Sequence, residues 1–375
     1  MCIAFSVFPL LVPSAMNPIK RPLPFLLFTL LALASLSCAA ATRLLFGATP
    51  TLPPTTAPLP ALTAAPSAFP SPTATPDTCP NGNCISACVE KLGAIVHPGG
   101  TANGKDTQRR KFSSGEEYTL VTYSILGDQI KDPLLGKAPK TLQPYQQDSL
   151  AQTEIWDYFA ALIPPDQRTF LTHYVIYTDG KDNILASVAQ SETDMYQWDL
   201  VVDIMDTSDP KDLTYTLVHE FGHLLTLNPN QVPPDKAVFD NPDSDSIYAK
   251  EVRACPTYFP GEGCSRANSY IDIFFGRFWS KIYKEWAVVD NIEDEDVYNE
   301  KLDQFYQKYQ DQFVTDYAPT SPEEDIAESW SYFVLRPKPT AGTIADQKVL
   351  FFYGFPELIK LREQIARNLC NQLEK

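Results

Sequence analysis

His219 and His223 stand four residues apart, with Glu220 directly after the first, in the run Val218-His219-Glu220-Phe221-Gly222-His223. Four residues advance an α-helix by about one turn, so the two imidazoles leave the same face and can grip one metal ion. Glu220 is placed to reach a water on that ion and take its proton, which amide hydrolysis at neutral pH requires. The chain has four histidines, the others being His97 and His173, so histidine chemistry has few possible members.

A catalytic zinc ion takes three protein ligands and keeps one position open. A third histidine six residues after His223 would fall at Pro229, which excludes the extended form of the motif. His97 and His173 precede the motif in other elements, so a downstream carboxylate is expected. The best candidates lie in Tyr317-Ala-Pro-Thr-Ser-Pro-Glu-Glu324-Asp-Ile-Ala-Glu328-Ser-Trp330. Glu324 and Glu328 fall one turn apart on one face of a helix whose other face carries Ile326, Trp330, Phe333 and Val334. Glu324 could instead close a capping box with Ser321, whereas a box between Thr320 and Glu323 would leave it free.

This arrangement resembles the gluzincin peptidases of the lethal-factor and Pro-Pro endopeptidase type, in which Tyr, six residues and then Glu-aromatic-aromatic-Ala-Glu follow the histidine helix. Tyr317, Glu324, Ala327 and Glu328 match that register, while Asp325 and Ile326 stand where the pattern has two aromatics. The resemblance covers two short segments. It implies an α+β, zincin-like fold, Zn2+ held by His219, His223 and Glu324, and Glu220 as general base. It further implies that Glu328 accepts a hydrogen bond from a ligand histidine, and that the Tyr317 hydroxyl steadies the oxyanion. Glu328 as the third ligand and Tyr317 as an ordinary packed tyrosine are the alternatives.

The elements that must position these residues are legible around them. Asp209 can cap a helix over Pro210–Leu227, with Pro210 suited to its first position and Asp212 to a capping interaction. Leu213, Leu217 and Phe221 form its core face. Strands are expected at Tyr118–Leu126, Thr172–Tyr177, Ile184–Ala189 and Trp198–Ile204, and a helix at Tyr145–Leu162. Further helices are expected at Tyr270–Trp286, Asp294–Phe313, Ser321–Leu335 and a last stretch ending near Leu373, with a loop-rich insertion over Asn228–Asn268. This gives a small mixed sheet followed by a mainly helical C-terminal half. Trp198–Asp203 precedes the histidine helix and is expected either as an edge strand that pairs with extended substrate or as a buried strand.

Composition sets the surroundings. The 375 residues are 44% hydrophobic and 12% aromatic, enough for a well-filled core, and 46 acidic against 30 basic residues give a net charge of −16. That balance offers no basic footprint, so a nucleic-acid partner is not expected. Residues 1–41 resemble an export signal whose true start is Met16: Lys20 and Arg21 precede an apolar run from Phe25 to Leu36, shorter than the ~20 residues of a membrane span. Cys38 is a possible lipid attachment site, in competition with cleavage after Ala41. Residues 42–78, rich in Pro, Thr and Ala, read as an extended linker, leaving 79–375 as the folded domain.

Of eight cysteines, setting aside Cys2 and Cys38 leaves six, an even number that favours disulfides in an exported domain. Cys255 with Cys264 is the best local pair. Cys79, Cys84, Cys88 and His97 could alternatively form a zinc knuckle. The expectation is an exported zinc metallopeptidase, acting on peptide or protein substrates and either secreted or held to a membrane through lipid at Cys38. The rivals are a noncatalytic surface-anchored adhesion or binding module that retains the fold, and a metal carrier.

Overall fold

Alternating burial along Leu171–Thr178 (β3) and Trp198–Asp203 (β5) puts Tyr174, Ile176, Leu200 and Val202 into the core. The computed structural model describes residues 92–96, 117–180 and 184–373, which fall in one unit of the chain. The expected export signal, the linker, Cys79, Cys84, Cys88 and His97 lie outside the described residues. The fold is α+β: a five-stranded mixed sheet followed by a predominantly helical half.

The strand order is β2-β1-β3-β5-β4, with β1 at Tyr118–Leu126, β2 at Gln129–Leu135 and β4 at Ala186–Gln190. Only β3 and β5 run parallel; every other neighbouring pair is antiparallel. The β1–β2 hairpin turns at Gly127, whose φ of 64° suits a residue without a Cβ. Strand β2 escapes sequence pattern because most of it is exposed, so no alternation is imposed on it. Lys131, Asp132 at φ 53° and Pro133 blunt that edge against further pairing. At the other edge lies β4, so β5 is interior, paired on both sides. The expectation of β5 as a substrate-pairing edge is therefore corrected: the buried-strand alternative holds, and β4 is the edge strand.

Helices cover the apolar face. Gln143–Gln147 (α1) and Ser149–Leu162 (α2) replace the single helix expected from Tyr145, because Asp148 interrupts them and caps α2 through Ala151 N. Trp156 of α2 packs on Tyr174, 5.5 Å between ring centroids, and its indole N–H donates to Asp128 O in the hairpin turn. Pro210–Leu227 (α3) has the expected bounds, and Asp209 accepts from Lys211 N and Asp212 N. The insertion is less irregular than its composition suggests, holding Lys236–Phe239 (α4) and Asp245–Ala254 (α5). A disulfide joins Cys255 and Cys264 beyond α5.

The helix expected over Tyr270–Trp286 is broken. Tyr270–Phe274 (α6) runs into a π-helical turn at Phe275–Trp279, and Tyr283–Asp290 (α7) follows. The break brings Trp279 and Trp286 edge to face at 5.7 Å and sends both indole N–H groups toward the start of a later helix, to Asp325 Oδ2 and Thr320 O. Glu295–Lys308 (α8) ends before the expected Phe313. Pro322–Leu335 (α9) lies against α3, and Ile344–Phe352 (α10) and Pro356–Leu373 (α11) complete the layer behind it. No helix among the described residues is long and apolar enough to cross a membrane.

Candidate metal centre

Helices α3 and α9 meet closely where the histidines lie. Phe221 packs edge to face on Trp330 at 5.9 Å, and Gly222 lets the backbones approach. A Cβ on Gly222 would lie 3.0 Å from Trp330 Cδ1 and 3.2 Å from Ala327 Cα. The α3 helix is buried nearly all round, so the side opposite Leu213, Leu217 and Phe221 does not face solvent; it faces α9 and β4.

In that contact His219 Nε2 lies 3.0 Å from His223 Nε2 and 3.0 Å from Glu324 Oε2, and His223 Nε2 lies 3.4 Å from the same oxygen. These three atoms converge on one point. Ligands about 2.0–2.1 Å from a shared tetrahedral centre stand roughly 3.3 Å apart, so this donor set matches the spacing of a coordinated ion. The buried group His219, Glu220 and His223 can bind a metal ion. Glu220 Oε2 accepts from Val188 N of β4 at 2.9 Å, which ties it to the sheet edge.

Glu328 reaches the opposite nitrogen of the same ring, its Oε1 lying 2.8 Å from His219 Nδ1. Its Oε2 accepts from Tyr215 OH at 2.9 Å and Thr315 Oγ1 at 2.6 Å. Because an ionised carboxylate only accepts, Nδ1 carries a proton, which leaves Nε2 as the nitrogen that could turn a lone pair to a metal ion. Tyr317 begins the 3-10 turn before α9, its ring centroid 6.1 Å from that of His219. His173 lies apart on β3, its Nδ1 2.9 Å from Asp199 Oδ1.

The start of α9 fixes which acid meets the histidines. Ser321 is the N-cap and accepts from Glu324 N, while Thr320 Oγ1 donates to Tyr317 O. The expected Thr320–Glu323 box does not form, and Glu324 is nonetheless turned to the imidazoles. Glu323 instead accepts from Tyr258 OH at 2.6 Å, and Asp325 meets Lys348 Nζ at 2.5 Å and Trp279 Nε1 at 2.7 Å. Three consecutive acids thus point along three directions about 100° apart, each to its own partner.

Burial governs the charges. It works against a charged His219, but hydrogen bonds to Glu324 and Glu328 outweigh it and push that imidazole upward. It likewise works against ionised Glu324, yet His223 and His219 hold the carboxyl well below its ordinary range. Burial raises Glu220, opposed by the two imidazoles and the Val188 N–H. Burial also pushes Glu323 up to about 7.

Each residue expected in the site is found in this neighbourhood: His219, Glu220, His223, Glu324, Glu328 and Tyr317. Sequence reasoning missed Val188, Tyr215 and Thr315. Tyr215, one turn before His219 on the same helix, could have been found by continuing the spacing; Val188 and Thr315 carry no local signal. Comparison of the chain with protein-family models, curated proteins and solved structures gives no match. Fold and site together define an α+β domain with a buried His-Glu-His group able to hold a metal ion.

Proposed function

We propose that the protein is a zinc-dependent endopeptidase of gluzincin type. The observation that carries this reading is the convergence of His219 Nε2, His223 Nε2 and Glu324 Oε2 within 3.0–3.4 Å of one another, with Glu220 beside them on the same helix. Those three residues would hold the ion. When bound there, zinc supplies the Lewis acidity that polarises a peptide carbonyl and lowers the pKa of a water at the site.

The protein's own groups supply the rest. Glu220 takes the proton of the attacking water and passes it to the leaving amine. Its bond to Val188 N keeps it at the sheet edge, where an extended peptide can pair with β4. Glu328 holds His219 in the tautomer that presents Nε2. Tyr317 donates its hydroxyl to the carbonyl oxygen as that atom gains charge. Export to an oxidising compartment is part of the proposal, supported by the apolar run after Arg21 and by the Cys255–Cys264 disulfide; lipid attachment at Cys38 would hold the domain at a membrane.

The test is metal content and casein cleavage of the purified protein beside Glu324→Ala and Glu220→Gln. One zinc per chain is expected in the native protein and lost in Glu324→Ala. Glu220→Gln is expected to keep its zinc and lose at least about a hundredfold in cleavage. Zinc bound equally by all three without cleavage would favour a noncatalytic surface module, and a zinc-loaded, fully active Glu220→Gln would overturn the mechanism.

A further inference from the structure

We propose that Thr315 is a positioning residue that locks the imidazole of His219 and the turn carrying Tyr317 into one unit. The inference rests on the zinc reading above and adds to it a coupling between the ligand set and the oxyanion donor. Thr315 is buried, and its hydroxyl has one proton and two lone pairs. The proton goes to Glu328 Oε2, 2.6 Å away, because an ionised carboxylate can only accept. A lone pair accepts from Ala318 N at 3.1 Å, the backbone amide immediately after Tyr317. One hydroxyl therefore joins the carboxylate behind His219 to the first peptide of the Tyr317 turn.

Glu328 transmits the constraint. Its side chain is fully buried, so water does not compete for its oxygens. With Oε2 held by Thr315 and by Tyr215 OH at 2.9 Å, the carboxylate plane is fixed, and the position of Oε1 against His219 Nδ1 at 2.8 Å follows. Losing the Thr315 bond loosens the hold on Oε2, and with it the placing of the acceptor that meets Nδ1. Removing the Thr315 hydroxyl disturbs both ends, whereas removing the Tyr215 hydroxyl disturbs the His219 end and leaves the Thr315–Ala318 bond in place.

The test uses the full chain with Thr315→Val, Thr315→Ser and Tyr215→Phe. Zinc affinity is measured by chelator competition, and the His219 Nδ1 proton is followed by 15N-edited NMR in the metal-free protein. Thr315→Val is expected to weaken zinc binding by about tenfold and to shift or broaden the Nδ1 proton signal, with both restored in Thr315→Ser. Tyr215→Phe is expected to weaken zinc similarly. On casein cleavage, Tyr317→Phe is expected to cost less in the Thr315→Val background than in the native protein, and equally in both the Tyr215→Phe and native backgrounds.

Native zinc affinity and an unchanged Nδ1 signal in Thr315→Val would overturn the coupling while leaving the zinc reading in place. A native protein that binds no zinc would overturn that reading, and the Nδ1 signal would still decide whether Thr315 fixes His219. Should Thr315→Val fail to fold, Thr315→Ala removes the same hydroxyl, and an unchanged Nδ1 signal there overturns the coupling.

Discussion

Glu324 and Glu328, one turn apart on α9, address the two nitrogens of a single imidazole: Glu324 Oε2 lies 3.0 Å from His219 Nε2, and Glu328 Oε1 lies 2.8 Å from Nδ1. The two carboxylates have different surroundings: Glu324 also comes within reach of His223, at 3.4 Å. Glu328 is occupied by Tyr215 and Thr315 on its far side. The pair therefore divides into one acid within reach of both imidazoles and one that meets His219 from the Nδ1 side.

Glu328→Gln tests that division. The amide keeps the shape but presents weaker acceptance to Nδ1 and an N–H pair toward Tyr215 or Thr315. Zinc affinity measured by chelator competition is expected to fall about 10–100-fold, with far-UV circular dichroism unchanged. Affinity equal to that of the native protein would remove Glu328 from the proposed role.

Gly222→Ala probes the contact between α3 and α9. Alanine is the better helix former by about 1 kcal/mol, yet its Cβ would lie 3.2 Å from Ala327 Cα, a backbone atom, and 3.0 Å from Trp330 Cδ1. Forcing the helices apart costs about 1–3 kcal/mol, so urea unfolding should show a less stable protein. Metal affinity should fall with it, because the same separation sets His219 against Glu324. Increased stability would mean that the helices part without cost.

The Asp325–Lys348 pair is fully buried, with the ammonium 4.1 Å from the centroid of Phe313. Lys348→Met leaves the acid without its charge partner and should cost about 3–5 kcal/mol in equilibrium unfolding at neutral pH. Burial pushes Asp325 up to about 6 even against the lowering effect of Lys348, so without that charge the acid takes up its proton at higher pH, and the loss should shrink as pH falls toward 6. Adding Asp325→Leu to Lys348→Met should recover much of the stability. A double variant no more stable than Lys348→Met would show that the carboxylate does other work.

Asp206 gives a pH dependence away from the metal centre. Burial, and then the neighbouring Asp203 charge, raise it from 3.8 to about 6. Between those values the folded protein keeps a proton that the unfolded chain has released. Stability from this group is accordingly present below pH 3.8, falls as pH rises to about 6, and is flat above. Asp206→Asn should be more stable than the native protein at pH 7, with the difference closing toward pH 4 in paired thermal melts. A variant less stable at pH 7 would reverse the sign of the argument.

Short-range pattern was enough for the histidine helix. Asp209, Pro210 and the 3.6-residue period set α3 at Pro210–Leu227, and the four-residue spacing put His219 and His223 on one face before any packing was known. The same reasoning located Glu324 and Glu328 one turn apart and the apolar stripe behind them. Strand β1 and the sheet-then-helix order were also legible, because alternation and periodicity are local properties of the chain.

Tertiary structure decided the rest. Periodicity gives the angle between neighbouring side chains on a helix but not the rotation of that helix against its surroundings. Tyr258 and Lys348, distant in sequence, hold Glu323 and Asp325 and so turn Glu324 to the histidines. Whether β4 or β5 forms the sheet edge depended on pairing across the sheet, which no alternation within either strand records. The break between α6 and α7 was decided likewise, by two tryptophans that pack around the start of α9. The sequence alone determined which residues could share a turn; contacts between remote segments determined which of them face one another, since orientation is a property of pairs of elements and is not encoded in either one.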